Sequence, residues 1–116
     1  MAKHNDTGKA GEAIAAEFLA ANGYDILALN WRHKRLEVDV IAEKNSILHF
    51  IEVKTRENSN TGFPEEKVSR KKFECLVKAA DEYLLQHPGY TKLQYDIVSI
   101  ISEPTEIKLI EDVFYI

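Results

Sequence analysis

The apolar positions change period along the chain, and the changes mark out its elements. Lys9 to Asn22 is rich in alanine, with Ile14, Ala15, Phe18 and Leu19 on one stripe at helical spacing. It is expected to form a helix capped by Asp6 or Thr7 at its start and by Gly23 at its end. Residues 24–32 then read as a strand, and Leu36 to Ala42 alternates apolar with acidic residues as a second strand. Glu43 to Ser46 reads as a turn into a third strand, Ile47 to Lys54, so the second and third strands form a hairpin. A polar loop, Thr55 to Pro64, is broken by Gly62 and Pro64. Phe73, Leu76, Val77, Ala80, Tyr83 and Leu84 recur at helical spacing in a long second helix, which stops near His87-Pro88-Gly89. Leu93 to Ile101 and Ile107 to Ile116 are read as the last two strands, joined by a turn over Glu103 to Glu106.

The order is thus α-β-β-β-α-β-β. A strand, helix, strand run in its middle implies a parallel pair joined by a right-handed crossover, hence a mixed five-stranded sheet flanked by helices, an α/β fold. A chain of 116 residues suits one domain, 1–116, with its own core. No apolar run approaches the ~20 residues of a membrane span, and the first residues lack the apolar segment of a signal peptide. With Cys75 as the sole cysteine, no intramolecular disulfide can form. These features lead to the expectation of a cytoplasmic protein without membrane contact.

The third strand raises a chemical question. Leu48, Phe50, Glu52 and Lys54 fall on one face by alternation, so two charges follow two core residues. Closing the hairpin on Lys44-Asn45 pairs Asp39 with Phe50 and Glu37 with Glu52, which makes Asp39 and Glu52 diagonal neighbours ~7–8 Å apart. Glu37, Asp39, Glu52 and Lys54 would then share that face. Three carboxylates there repel one another unless a cation lies among them. Lys54 neutralises one, and hard oxygen donors suit Mg2+ or Mn2+ for the others. A structural salt-bridge network accounts for one Glu–Lys pair but poorly for three acids against one lysine. Glu12, at the edge of the first helix's apolar stripe, could reach this cluster or simply favour the positive end of its helix.

Charge distribution qualifies the net charge of -4. Residues 32–72 hold ten bases against seven acids, while the flanks hold five against twelve. A domain polarised in this way can present a basic face to phosphates, although a solvated surface of mixed charge is the plainer reading. If Ser69 caps the second helix, Arg70, Lys71 and Lys72 fill its first turn against the helix dipole and suggest an anion site. A start near Pro64, with Glu65 and Glu66 in the first turn, would weaken that argument. His4, His33, His49 and His87 show no zinc-ligand spacing. Trp31 could stack on a base or belong to the core.

An acid on one strand followed by Glu52-Val53-Lys54 on the next resembles the PD-(D/E)XK signature of restriction-endonuclease-like nucleases. The wider set, GKAGEAIAAEFLAANGYDIL, NWR, LEVDVIA, IEVKTR and QYDIV, resembles the YraN family of uncharacterised bacterial proteins along most of the chain. That family is similar in fold to archaeal Holliday-junction resolvases. The resemblance implies a restriction-endonuclease-like fold and carries the family's acids onto Glu12, Glu37, Asp39 and Glu52, with Lys54, Thr55 and Arg56 completing its EVKTR motif. Leu36 stands where the family has Gly, and Gln94 where it has Arg, which would remove a phosphate contact.

The function expected from these residues is a metal-dependent endonuclease acting on branched or structured DNA. Asp39, Glu52 and the Val53 carbonyl would hold Mg2+ or Mn2+, with Lys54 and Glu12 completing the catalytic set and Glu37 as an additional acid. Arg32, Arg56, Arg70, Lys71 and Lys72 would contact the nucleic acid. Junction-cleaving relatives imply a homodimer by analogy. The alternatives are a nucleic-acid-binding module that does not cut, and an interaction protein whose acidic cluster is structural.

Overall fold

The computed structural model describes residues 2–58, 69–103 and 105–113, with side chains for 10–56, 69–101 and 105–113. The elements follow the expected order: α1 (Ala2–Ala21), β1 (Asp25–His33), β2 (Leu36–Lys44), β3 (Ile47–Asn58), α2 (Arg70–Gln86), β4 (Leu93–Glu103) and β5 (Thr105–Ile110). The strands lie in one sheet in the order β1-β2-β3-β4-β5. All neighbours are antiparallel except β3 and β4, which run parallel from Leu48↔Leu93 to Asn58↔Glu103. A parallel neighbour needs a long crossover, and α2 lies within it.

The helices cover opposite faces. Ala15 and Leu19 of α1 pack with Val40, Ala42, Ile51, Val98 and Ile100. Leu76, Ala79, Ala80 and Tyr83 of α2 pack with Val38, Ile41, Leu48, Phe50 and Ile97. This burial on both faces explains why β3 and β4 read as nearly continuous apolar runs. Trp31 joins the α2 side, edge-on to Tyr83 at 5.8 Å, so its role is packing.

Several boundaries move. α1 starts at Ala2, so Asp6 and Thr7 lie inside the helix; Ala and Lys at its start are strong helix formers, and its two glycines, Gly8 and Gly11, are tolerated. At its end Gly23 takes φ +88, while the Tyr24 amide donates to Leu19 O and the Gly23 amide to Ala20 O. That is the expected glycine cap, closed by packing of Tyr24 with Leu19. β3 runs on to Asn58, four residues past the expected Lys54, because its ladder with β4 continues. The rest of the expected polar loop, including Gly62 and Pro64, lies outside the described residues. β5 ends at Ile110 rather than Ile116; after it the Asp112 amide donates to Asp96 Oδ1 and the Val113 amide to Tyr95 O.

The hairpin register is also corrected. Lys44 pairs with Ile47 and Ile41 with Phe50, so the turn is Asn45-Ser46, both at positive φ. A tight hairpin turn of this kind needs left-handed backbone at both central residues, which favours Asn45 and disfavours Lys44. The shift is two residues, so side chains keep their faces.

α1 approaches β3 most closely at Gly11, where a Cβ would lie 2.7 Å from Thr55 Cγ2. Alanine would otherwise favour a helix by about 1 kcal/mol over glycine. Gly11→Ala is therefore expected to destabilise the protein by about 1–2 kcal/mol through overpacking. In a Thr55→Ser background, which removes the methyl, the same change should become neutral or stabilising. Urea denaturation of the four proteins measures this coupling.

Candidate functional site

The site forms where β2 leaves β3. Their ladder stops at Val40↔Ile51, although both strands continue. The cause lies in β1 and β2 together. β1 has a register irregularity between Ile26 and Ala28, and Asn30 takes φ +51. Ala28 and Trp31 then face α2 although three residues apart, and so do their partners Ile41 and Val38. Alternation changes phase at Asn30 and Asp39, and Asp39 turns its carboxylate across to β3. Its Oδ2 accepts a hydrogen bond from the Val53 amide at 2.8 Å. A side chain thus replaces the missing rung of the ladder.

Asp39 is consequently the next residue after Val40 as Glu52 is after Ile51, and the two acids are neighbours rather than diagonal. Burial pushes the Asp39 carboxyl above its usual 3.8; the Val53 amide and Lys72 pull it down, and Glu52 and Glu37 push it up again. Glu52 points to the α2 side, its side chain 15% exposed, with Oε1 3.5 Å from Lys72 Nζ. Among the described residues its buried Oε2 has no hydrogen-bond partner. Ser99 Oγ is buried in the same condition, on the β4 residue beside Lys54. A buried carboxylate oxygen without a partner carries a desolvation penalty of about 1–3 kcal/mol or more.

Glu12 approaches from α1. Its carboxyl is raised above 4.5 first by burial, then by Asp39 and Glu37, and is lowered by Arg32. Of the two open readings of this residue, proximity to the acidic cluster is the one realised, since ten helical residues precede it. Glu37 does not share the Glu52 face as expected. The phase change at Asp39 turns it toward the α1 side, where it pairs with Arg32 at 3.1 Å across β1 and β2. Lys54 is half-buried on β3, two residues beyond Glu52.

The structure also locates the basic residues. Ser69 is extended and its Oγ accepts from the Lys72 amide, so α2 begins at Arg70 and not near Pro64. Arg70 reaches Glu74 at 3.2 Å, and Lys71 is exposed. Lys72, expected only as a phosphate contact, instead points inward to the acids; its spacing from Ser69 gave the helix position but not this direction. Arg56 is exposed near the end of β3, and Arg32 is tied to Glu37.

The pairing of His49 with Asp96 had no signal in ligand spacing. Asp96 is fully buried and accepts from Gln94 Nε2 at 2.9 Å and the Asp112 amide at 2.8 Å, with His49 Nδ1 at 2.7 Å from its other oxygen. Gln94 thus holds Asp96 in place. Among the described residues no three His, Cys, Asp or Glu side chains gather to hold a metal ion. Asp39 and Glu52 are left as a two-carboxylate set, which suits Mg2+, an ion that keeps several waters and takes one or two carboxylates.

The raised Asp39 carboxyl has a consequence for stability. Its folded form binds a proton more readily than the unfolded chain, so this residue's contribution falls as pH rises through its folded range. Asn at this position keeps an oxygen for the Val53 amide while removing the buried charge. Asp39→Asn is therefore expected to melt a few degrees higher than the parent at pH 7–8, about what 1 kcal/mol gives in a domain of this size. The difference should shrink as pH falls toward 4, as followed by thermal denaturation.

The comparisons with known proteins agree with the resemblance to the YraN family. Residues 11–100 match the uncharacterised protein family UPF0102. A UPF0102 protein of Flavobacterium psychrophilum is 42% identical over 99% of this chain and 98% of its own. One from Christiangramia forsetii is 39% identical, and one from Bacteroides thetaiotaomicron 38%, over 99% of this chain and 98% and 97% of theirs. Matched end to end by such relatives, the chain belongs to the uncharacterised protein family UPF0102, the YraN family.

Proposed function

We propose that this protein is a metal-dependent endonuclease that hydrolyses phosphodiesters in branched or structured DNA. The observation that carries the reading is Glu52 Oε2, a buried carboxylate oxygen without a hydrogen-bond partner beside the desolvated Asp39. A fold optimised for stability alone would pair or expose these groups. Retained together, they suit a divalent cation as the missing partner.

Asp39 and Glu52 would hold Mg2+ or Mn2+, with the Val53 carbonyl as a further oxygen donor. When bound, the ion supplies a water of lowered pKa and stabilises charge on the phosphate. Lys54, on the same strand, stabilises negative charge developing on the phosphate or orients the attacking water. Glu12, approaching from α1, positions water at the open side of the site. The hydrogen bond from the Val53 amide fixes Asp39, so its second oxygen can be offered without a change of rotamer. Arg56, Lys71 and Arg70, with Arg32 across the site, are proposed to meet the flanking phosphates.

A cytoplasmic location and a homodimer that cuts two strands complete the proposal. Among the described residues no helix is long and apolar enough to cross a membrane.

The test is cleavage of a synthetic four-way DNA junction with Mg2+ or Mn2+. The parent should cut, and Asp39→Asn and Lys54→Ala should each lose about 100-fold or more, the scale of removing one group that acts in the transition state. Salt-sensitive binding of the junction without cleavage would reassign the protein as a nucleic-acid-binding module. The absence of both cleavage and binding would overturn the proposal.

A further inference from the structure

The first turn of α2 holds three cations and no acid, an arrangement that opposes the helix dipole. Two of them have ordinary surface settings: Arg70 pairs with Glu74 one turn on, and Lys71 is exposed. Lys72 differs. The hydrogen bond from its amide to Ser69 Oγ fixes the start of the helix and with it the direction of the side chain. That side chain is 34% exposed and ends 3.5 Å from Glu52 Oε1.

We infer that Lys72 is a positioning residue of the site, a built-in counter-ion that holds the Glu52 carboxylate until a divalent cation takes it. The inference rests on the metal-site reading above. Three features support it. The separation of 3.5 Å is long for a charge-assisted hydrogen bond, which usually measures 2.7–2.9 Å, so the pair is loose and easily parted. The ammonium reaches only one Glu52 oxygen and leaves Oε2 without a partner. The same lysine also acts on Asp39, so Lys72 faces both carboxylates of the proposed metal set.

With Lys54, which follows Glu52 on the same strand face, two lysines stand against Asp39, Glu52 and Glu12, so the site stays net negative and receptive to a divalent ion. When that ion arrives, Lys72 becomes surplus at Glu52 and can turn to a phosphate oxygen. Lys72 should therefore weaken metal binding in the protein alone and strengthen nucleic-acid binding once the metal is present. A structural salt bridge predicts a change in stability with neither of these opposed effects.

Calorimetric titration of the full-length protein with Mn2+, without nucleic acid, tests this directly. Lys72→Met keeps length and helix propensity while removing the charge, and should bind Mn2+ about tenfold more tightly, the order expected for one half-buried charge beside the site. Lys72→Arg should restore an affinity near that of the parent, and Asp39→Asn should abolish binding. In the presence of Mn2+, Lys72→Met should bind a four-way junction more weakly than the parent at the same salt concentration. Unchanged or weaker Mn2+ binding by Lys72→Met, with the parent binding and Asp39→Asn not, would overturn the role of Lys72 and leave the metal site standing. A parent that binds no Mn2+ would overturn the site itself. Lys72→Gln, read alongside a thermal melt of each variant, separates loss of charge from loss of fold.

Discussion

The geometry of the site depends on one substitution of partners: where the β2–β3 ladder stops, the Asp39 carboxylate takes the Val53 amide that no β2 carbonyl reaches. Two sheet strands cannot diverge within a buried layer without leaving backbone donors unsatisfied. A carboxylate at the point of divergence satisfies one such donor and is held there by it. The divergence of β2 from β3 accompanies irregularities in β1, its shifted register near Leu27 and the left-handed Asn30. α1 and α2 cover the sheet from opposite faces, bringing Glu12 from one side and Lys72 from the other. The glycine contact between α1 and β3 sets how near the first helix can come. Residues from four elements thus converge because one pair of strands separates.

Much of this was legible in the chain. Periodicity placed both helices and all five strands in order, because each element has one strongly apolar stripe or a run buried on both faces. The acid-then-Glu-x-Lys arrangement was legible as well, since an error of two residues in hairpin register preserves the faces. What failed was strict alternation. Counting in twos puts Glu37 on the face of Glu52, and such a count has no access to a phase change at Asn30 and Asp39. The signal was weak but present, for Asn is the residue after Gly most tolerant of left-handed backbone. The direction of Lys72 was not legible. Three consecutive cations surround a helix start, and which of them turns inward depends on the tilt of α2 over the sheet.

The protein itself supplies the comparison that gives the site its meaning. It buries an acid completely at Asp96 and satisfies that acid fully, with His49, Gln94 and the Asp112 amide supplying partners from β3, β4 and the segment after β5. This cluster ties three parts of the chain together, and it lies within one strand's length of the site. Three residues along β3 from His49, Glu52 is largely but not fully buried, yet among the described residues one of its oxygens has no hydrogen-bond partner and the other meets a loose ammonium. The same sheet therefore contains a carboxylate arranged for stability and another held short of it. Replacing Glu52 by a well-packed apolar residue would remove the desolvation penalty, and burial of such a pair is often neutral or unfavourable relative to that replacement. The fold has the means to satisfy an acid and does not apply them here. A carboxylate left short of partners at the junction of a diverging strand pair and a cationic helix start is the feature on which the proposed metal site rests.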